Sequence, residues 1–262
     1  MSSTNTDGEV RLERDGVVAR VTFDRPAARN AMTWRMYQQL GEICVRLRDD
    51  KEVRVAVFRG SGGKAFIAGT DIAQFTSFSS AEDGIGYERT MEGYLDGLET
   101  LPIPTLAVIE GWAVGGGLAI AACCDFRLAT PGSRFGVPIA RTLGNCLSMH
   151  NYARLVAALG PAVSKRILLL GDTLTAEQAH AGGFLLDVVA PDALDARIAE
   201  VCDRLARNAP ITMRVSKEAI RRVISSGVLD GDDLVRETYG SEDFRNGVRA
   251  FIEKREPQWT GR

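Results

Sequence analysis

The sequence predicts an α/β protein with a helical C-terminal region. Segments typical of strands and helices alternate up to about residue 190, whereas the chain from Ala193 onward has mainly helical periodicity. Of the 262 residues, 45% are hydrophobic and 25% are charged, which is usual for a globular protein with a substantial core. We therefore expect a core domain over residues 1–192 and a helical region over residues 193–262.

The N-terminal part is predicted to hold a β-hairpin and a capped helix. Alternating apolar residues flank a two-residue turn at Asp15 and Gly16, which predicts a hairpin over residues 10–23. Thr33 is the predicted N-cap of the first helix, in which apolar residues recur at helical spacing as far as Arg48.

The next segments predict a strand and two helices. An apolar strand is predicted over residues 53–59, and Asp71 is predicted to cap a short helix. A longer helix is predicted over residues 81–100, with Ser79 or Ser80 as its N-cap. The polar positions of this helix are expected to face solvent, namely Glu88, Glu92, Asp96 and Glu99.

Strands and helices are predicted for the rest of the chain from the same patterns. The predicted strands cover residues 104–109, 126–129, 133–135 and 185–189. The predicted helices before the C-terminal region cover residues 145–159, 162–170 and 176–181. The C-terminal helices are expected to be interrupted at Pro210, Gly227, Gly240 and Pro257.

The composition narrows the class of protein. The formal net charge of −2 argues against a nucleic acid or an anionic membrane surface as the main partner.

The five cysteines have no CxxC spacing and lie mostly in apolar runs, so we expect reduced core residues. The two histidines fit no zinc-ligand spacing, and no metal site is expected. Without a recognisable signal peptide or membrane span, a cytoplasmic location is expected.

A glycine triplet at residues 115–117 is the most informative local feature. It follows an apolar strand and precedes a helix of small residues that carries no charge before Asp125. Glycines allow close backbone approach, and the free N–H groups of a helix N-terminus attract negative charge. For the triplet alone, a tight turn that packs a buried helix against a sheet is an equally good interpretation.

A second glycine-bearing turn strengthens the functional interpretation. Residues 68–71 read AGTD and follow an earlier strand. Two backbone N–H groups from separate loops are what an enzyme needs to hold a thioester carbonyl as it becomes an enolate. A nucleotide-binding protein is a weaker alternative, because Gly69 interrupts the helix that should follow the glycines at residues 60–62, and no P-loop is present. The chain also has no GxSxG serine-hydrolase motif.

Four segments in order resemble the crotonase (enoyl-CoA hydratase/isomerase) superfamily. Residues 25–32 read RPAARNAM, similar to the family's RPxxxNAL, and residues 64–72 read KAFIAGTDI, similar to its AFxAGxDI. Residues 110–129 read EGWAVGGGLAIAACCDFRLA, similar to its GGG helix and following strand. Residues 250–259 read AFIEKREPQW, similar to its FxEKRxPxW tail.

The resemblance implies a fold, an assembly and a substrate. The fold would be the crotonase-like (ClpP-type) spiral of ββα units, with residues 193–262 as a helical oligomerisation region. The chain would form a homotrimer or a homohexamer built as a dimer of trimers. The substrate would be an acyl-CoA thioester, so coenzyme A would arrive as part of the substrate and no cofactor would be bound permanently.

The resemblance also assigns roles to residues of this chain. The backbone N–H groups of Thr70 and Gly116 would form an oxyanion hole. The segments at residues 28 and 68–72 and the tail would bind coenzyme A, with Arg25 near its phosphate end and the tail completing the site of a neighbouring subunit. The implied coenzyme A contacts are Arg25, Ala28, Ala68, Asp71, Ile72, Phe251 and Lys254.

The chain departs from the family at the two catalytic positions. Hydratases of this family use two glutamates that share a water molecule. At the corresponding places this chain has Ala119 and Ile139. Possible replacements for the two glutamates are Glu88, Glu92, Arg141, Asn145, Cys146 and His150. Arg141 and His150 are the favoured polar candidates for the pocket, whereas a solvated helix face is the favoured interpretation for Glu88 and Glu92.

Two functions from different classes follow from this pattern. The first is an enoyl-CoA hydratase/isomerase-type enzyme with non-standard acid/base residues, which would catalyse hydration, isomerisation, decarboxylation or thioester hydrolysis. The second is a catalytically silent protein that binds acyl-CoA. Turnover of a thioester distinguishes the two.

Overall fold

The computed structural model of the chain describes residues 7–225 and 232–258. The predicted helix break at Gly227 and the last tail residue, Trp259, lie outside the described residues. The strands are β1 (Glu9–Asp15), β2 (Val18–Asp24), β3 (Val55–Gly60), β4 (Ala65–Ile67), β5 (Thr105–Ile109), β6 (Trp112–Val114), β7 (Phe126–Ala129), β8 (Arg134–Gly136), β9 (Thr173–Thr175) and β10 (Asp187–Val188).

Helices follow the strand pairs and then occupy the C-terminal region. They are α1 (Trp34–Asp49), α2 (Ala81–Glu99), α3 (Gly116–Cys123), α4 (Ile139–Thr142), α5 (Met149–Leu169), α6 (Ala176–Ala181), α7 (Leu194–Arg207), α8 (Pro210–Ser225), α9 (Asp232–Tyr239) and α10 (Glu242–Ile252). Two 3-10 helices cover Pro26–Ala28 and Ile72–Ser77. The chain kinks within α5 at Gly160, which divides it where the sequence predicts two helices.

The strands form two sheets, and three pairs of consecutive strands contribute one strand to each sheet. The larger sheet has the order β1-β2-β3-β5-β7-β10, and the smaller has the order β4-β6-β8-β9. The pairs β3/β4, β5/β6 and β7/β8 each place one strand in each sheet, and a helix follows each pair. Neighbouring strands are parallel except for β1/β2 and β8/β9. The expected spiral of ββα units is confirmed.

The first elements form largely as the sequence predicts. Thr33 caps α1 by accepting a hydrogen bond from the Met36 amide. Ser80 and Asp83 form a reciprocal capping box at the start of α2. The predicted hairpin turn is displaced by one residue, since Asp15 pairs with Val18 in the ladder and the loop is therefore residues 16–17.

The central strands of the larger sheet, β3 and β5, are buried on both faces. On one face, aromatic and aliphatic residues such as Phe23 and Phe58 pack beneath α1 and its neighbours. On the other face, Val57 and Leu106 pack against Ile198 of α7. Because both faces are covered, these two parallel strands consist mainly of apolar residues, as their sequence shows.

The C-terminal helices pack against the core of their own chain. Helix α9 lies along α2, and α10 lies against the 3-10 helix at residues 72–77. Phe75, Tyr239 and Phe244 form an aromatic cluster between these elements. The region predicted for oligomerisation therefore also forms part of the wall next to the candidate site.

Further features of the described residues bear on the class of protein. None of the described helices combines the length and hydrophobicity needed to cross a membrane. The same residues contain no group of three or more His, Cys, Asp or Glu side chains placed to hold a metal ion. All five cysteines are buried, and none of them forms a disulfide bond with another described residue.

We expect the core beneath α1 to contribute strongly to stability. Leu40 of α1 is fully buried, so Leu40→Ala should lower the free energy of unfolding by about 2–5 kcal/mol because it removes packed apolar atoms and leaves a cavity. Val45 on the same helix is 62% exposed, and Val45→Ala should change stability by less than about 0.5 kcal/mol. Urea unfolding followed by circular dichroism measures both values, and equal effects would contradict this packing.

Candidate active site

Two backbone turns meet at one edge of the smaller sheet. Strands β4 and β6 are parallel neighbours, so their carboxyl ends lie side by side. The turn after β4 contains Gly69 and Thr70, and the turn after β6 contains Gly115 and Gly116. A Cβ atom built on Gly115 would lie 3.6 Å from the Gly69 Cα, and one built on Gly116 would lie 3.2 Å from Thr70 Oγ1. The structure thus brings together the two turns singled out in the sequence.

The amide N–H groups of Thr70 and Gly116 have the properties of an oxyanion-binding pair. Neither donates a hydrogen bond to an acceptor within residues 7–225 and 232–258. Gly116 is the first residue of α3, where helical geometry leaves the amide without an intrahelical partner and places the positive end of the helix dipole. Gly115 precedes it with φ +54°, a conformation that favours glycine.

Both turns line a cleft of about 450 Å³. Most of the residues assigned to the site by resemblance line this cleft: Arg25, Ala28, Ala68, Thr70, Asp71, Ile72, Gly116, Ala119, Ile139 and Phe251. Arg141, His150 and Lys254 are exposed and do not line it. The expectation that Arg141 and His150 provide polar groups in the pocket therefore gains no support from the lining of this cleft.

Phe251 reaches the cleft from α10 of the same chain. The resemblance implied that this residue completes the site of a neighbouring subunit. Within the described chain, α10 packs against the 3-10 helix at residues 72–77, and the half-exposed Phe251 ring lies beside the chain's own cleft.

Arg25 and Asp71 form an ion pair beside the two turns. The Arg25 Nη2 lies 2.8 Å from Asp71 Oδ2, and the Arg25 Nη1 donates a 3.1 Å hydrogen bond to the carbonyl of Ala31. Both charged side chains are largely buried. Because the two charges neutralise one another, this end of the cleft is polar without a strong excess of either sign.

Asn30 anchors the loop that carries Ala28, a role that the sequence analysis missed. Its fully buried side-chain amide donates 2.9 Å hydrogen bonds to the carbonyls of Ser61 and Ala65, and its oxygen accepts one from the Arg25 amide. The residue has φ +58°, a conformation that asparagine tolerates better than most residues. The available signal was the asparagine of the RPAARNAM segment.

Two tyrosines support Thr70 from inside the cleft, and the sequence analysis missed them as well. The hydroxyl of Tyr37 lies 2.9 Å from Thr70 Oγ1, and that of Tyr87 lies 3.4 Å from the same atom. Burial raises the pKa of Tyr37 to about 12 and that of Tyr87 well above its usual value. Both phenols therefore remain neutral near pH 7 and hold the Thr70 side chain.

Glu88 is a buried carboxyl group in the same cleft. Its side chain was expected to face solvent, but the residue is only 6% exposed and lines the cleft. Glu88 Oε1 accepts a 2.9 Å hydrogen bond from the Tyr239 hydroxyl, and Oε2 accepts one of 2.9 Å from the Ser148 amide. Burial raises the pKa of Glu88 to about 7, although these two hydrogen bonds act in the opposite direction.

The rest of the expected solvated face of α2 is also partly covered. Helix α5 lies over it, and the buried Arg154 guanidinium contacts Glu92 at 2.9 Å and Glu99 at 2.7 Å. Asp96 is exposed as expected. The exposure prediction is therefore wrong for Glu88, Glu92 and Glu99, because the sequence pattern of α2 does not show which later helix packs upon it.

The sequence model of the enoyl-CoA hydratase/isomerase family matches residues 13–262. The chain belongs to this family. The short-chain-enoyl-CoA hydratase of Clostridium acetobutylicum is 31% identical over 250 residues, which cover 94% of this chain and 95% of that protein. The family and its crotonase-like fold are thus established for this chain.

Solved structures agree with this fold over nearly the whole chain. An enoyl-CoA hydratase/carnithine racemase from Magnetospirillum magneticum is 34% identical, covers 97% of this chain and 96% of its own, and has a TM-score of 0.79. A methylmalonyl-CoA decarboxylase in complex with 2-nitronate-propionyl-CoA is 25% identical, with 97% and 98% coverage and a TM-score of 0.88. The likeness therefore includes proteins named for different reactions.

We expect Asn30 to be required for stability. Asn30→Ala should lower the free energy of unfolding by about 2–4 kcal/mol, because it leaves the carbonyls of Ser61 and Ala65 without their buried donor. Arg29→Ala is the matched control, since its φ of +51° is similar and its side chain is exposed. Comparable losses in urea unfolding for the two variants would show that the buried hydrogen bonds contribute little.

Proposed function

We propose that the chain is an acyl-CoA enzyme that holds the thioester oxygen of its substrate with the amides of Thr70 and Gly116. One observation carries this proposal. The turns after the parallel strands β4 and β6 place two amides without described acceptors, those of Thr70 and Gly116, at the same cleft. Fixed N–H donors stabilise the negative charge that develops on the oxygen when an enolate forms. Membership of the enoyl-CoA hydratase/isomerase family supports an acyl-CoA substrate.

The remaining cleft residues suit the coenzyme A part of such a substrate. We propose that the backbone at Ala28 and Ala68, with Asp71 and Ile72, contacts adenine and pantetheine, while Arg25 lies towards the phosphates. Phe251 would contact coenzyme A from the same chain, and the exposed Lys254 would approach its phosphates from outside the cleft. Coenzyme A enters as part of the substrate, so the proposal requires no resident cofactor.

The apolar residues at two cleft positions bear on the reaction type. Ala119 and Ile139 line the cleft where the resemblance places the water-sharing glutamates of hydratases. An alanine and an isoleucine cannot exchange protons with water. We therefore favour a reaction that places negative charge on the thioester oxygen without that glutamate pair, namely isomerisation, decarboxylation or thioester hydrolysis, over ordinary hydration.

A catalytically silent acyl-CoA-binding protein is the second candidate function. The same apolar pair favours it, because an oxyanion hole alone neither removes nor supplies a proton. Such a protein would bind acyl-CoA and catalyse no step at the thioester. A measurement that detects enolate formation separates it from an isomerase or a decarboxylase, and release of the coenzyme A thiol separates it from a thioesterase.

Deuterium exchange at the α carbon of butyryl-CoA tests the proposed function. The wild-type chain in D₂O should accelerate loss of the C2 proton signal in ¹H NMR spectra, because exchange requires an enolate but no later chemical step. Gly116→Ala should slow exchange by at least about 100-fold, since the new Cβ would overlap the Tyr37 hydroxyl and displace an oxyanion donor.

Gly93→Ala is the matched control for this experiment. A Cβ built at Gly93 on α2 meets no atom within 4 Å, so this variant should exchange at the wild-type rate. Butyryl-CoA binding is measured in parallel by calorimetry. Binding without either C2 exchange or release of the coenzyme A thiol would favour the silent binding protein, and absence of binding would refute both candidate functions.

We also propose that the chain assembles as a trimer or as a dimer of trimers, as the family resemblance implies. Helix α8 presents apolar side chains to solvent in the isolated chain, which supports a contact between subunits. The exposed apolar residues of this helix are Ile211, Val215, Ile220, Val223 and Ile224. Residues 193–262 would then combine a wall of the site with the subunit contacts.

Light scattering coupled to size-exclusion chromatography tests the assembly. The wild type should have three or six times the mass of one chain, and the double variant Ile220→Glu/Val223→Glu should be monomeric because it would bury two unpaired charges. Val17→Glu, at an exposed hairpin position, is the control and should keep the wild-type mass. A monomeric wild type, or a double variant of unchanged mass, would contradict the proposed interface.

A further inference from the structure

The cleft offers few groups that can transfer a proton near neutral pH. Among the described residues, five cleft-lining side chains are titratable: Arg25, Tyr37, Asp71, Tyr87 and Glu88. Arg25 and Asp71 are paired with each other, and both tyrosines have pKa values raised well above neutrality. Glu88 is therefore the one described carboxyl group in the cleft without a cationic partner.

We propose that the Glu88 carboxyl group is the acid/base that moves the proton at the α carbon of the substrate, and that Tyr239 and the Ser148 amide position it. This inference rests on the proposed function, because it assumes an acyl-CoA whose thioester oxygen is held by Thr70 and Gly116.

Helix α2 places Glu88 close to the oxyanion turns. The preceding residue, Tyr87, extends its hydroxyl to within 3.4 Å of Thr70 Oγ1. Met91 and Leu95 follow Glu88 at helical spacing and line the same cleft, so one face of α2 forms a continuous wall. An acyl group with its oxygen at Thr70 and Gly116 would extend along this wall past the Glu88 carboxyl.

The hydrogen bonds to Glu88 fix the carboxyl group without blocking it. The Tyr239 hydroxyl and the Ser148 amide each bind a different carboxylate oxygen at 2.9 Å. An ionised carboxylate has about four acceptor positions, so two remain for a substrate proton. Tyr239 comes from α9 and Ser148 is the N-cap of α5, and the group is thereby held from two elements distant in sequence.

The surroundings of Glu88 favour proton transfer near neutral pH. Burial raises its pKa to about 7, the two hydrogen bonds lower it, and the negative charge of Glu92 raises it. A base whose pKa lies near the working pH gives efficient general catalysis. Arg154 of α5 pairs with Glu92 and so moderates that charge. The other titratable groups around Glu88 are Tyr37 of α1, Tyr87 of α2, Tyr152 of α5 and Tyr239 of α9. Cys146, which precedes α5, lies near Tyr152 and Tyr239.

The proposed step is a reversible proton transfer. The Glu88 carboxylate takes the C2 proton, the C2–H bond breaks, and its electron pair forms the C1–C2 double bond of an enolate. The resulting charge on the thioester oxygen is held by the amides of Thr70 and Gly116. Return of the proton from the carboxylic acid to carbon reverses the step, so solvent deuterium enters C2 after exchange at the carboxyl.

Replacement of Glu88 tests the assignment directly. In the butyryl-CoA exchange assay near pD 7, Glu88→Gln should lower the exchange rate by at least about 100-fold, while butyryl-CoA affinity should change by less than about threefold. Glu82→Gln is the matched control, because Glu82 is an exposed glutamate on the same helix and should exchange at the wild-type rate.

Tyr239→Phe supplies a second test. This variant keeps the Glu88 carboxyl group, and its readout is a shift of the pD midpoint, which misfolding would not produce. The wild-type exchange rate should rise with pD through a midpoint near 7, because only ionised Glu88 accepts a proton. Tyr239→Phe removes a hydrogen bond that lowers the Glu88 pKa, so the midpoint should move upward by about 0.5–1 unit. An unmoved midpoint would overturn the positioning role.

The outcomes separate this inference from the proposed function. Exchange by the wild type and equally by Glu88→Gln would overturn the assignment of Glu88 alone. Binding of butyryl-CoA without exchange by the wild type would overturn the enolate-forming function and the assignment together. Loss of exchange in Glu88→Gln with retained binding, combined with the shifted midpoint in Tyr239→Phe, would support the inference.

Discussion

The parallel pairing of β4 with β6 is the contact on which the candidate site depends. It aligns the ends of two short strands, so that Thr70 and Gly116 become neighbours although 46 positions separate them in the sequence. Helix α3 must then begin directly against β4. A Cβ atom at Gly117 would overlap the carbonyl oxygen of Ile67, and only glycine at this position permits the close approach. The convergence of the amides is thus a consequence of backbone packing.

The polar interior around this contact is arranged in two groups. Near the turns, two neutral phenols hold Thr70, and the Arg25–Asp71 pair balances its own charge. Farther along α2, the Glu88 carboxyl group is surrounded by tyrosines, while Arg154 forms ion pairs with Glu92 and Glu99 of the same helix. This separation leaves one ionisable carboxyl without a counter-charge, which is the environment that raises a carboxyl pKa.

Local and repeated signals made much of the fold predictable from the sequence. These signals depend on residues that lie close together in the sequence, and the structure agrees with them. They are the caps Thr33 and Ser80, the apolar runs of β3 and β5, and the four family-like segments. The three-residue strands β4, β6 and β9 were not predicted as separate strands, because three residues are too few to show a period.

The candidate site was predictable only where its residues lie within such local segments. The glycine turns and most of the residues that the resemblance assigns to coenzyme A binding lie within recognisable segments, and they line one cleft. Glu88 was assigned to solvent because the groups that cover and hold it, at Ser148 and Tyr239, lie 60 and 151 positions later. Periodicity within one helix identifies its polar positions but not which of them a distant element will cover.

The dependence of Glu88 on Tyr239 has a consequence for biosynthesis. The strands, α2 and both glycine turns emerge from the ribosome well before α9 and α10, and domains fold progressively during synthesis. A nascent chain that has formed both sheets therefore still has an open flank, where the carboxyl group is hydrated and lacks its phenolic partner. Such an intermediate already has the amide pair but not the closed wall, so the proposed proton transfer would become possible only late in translation, after the scaffold has formed.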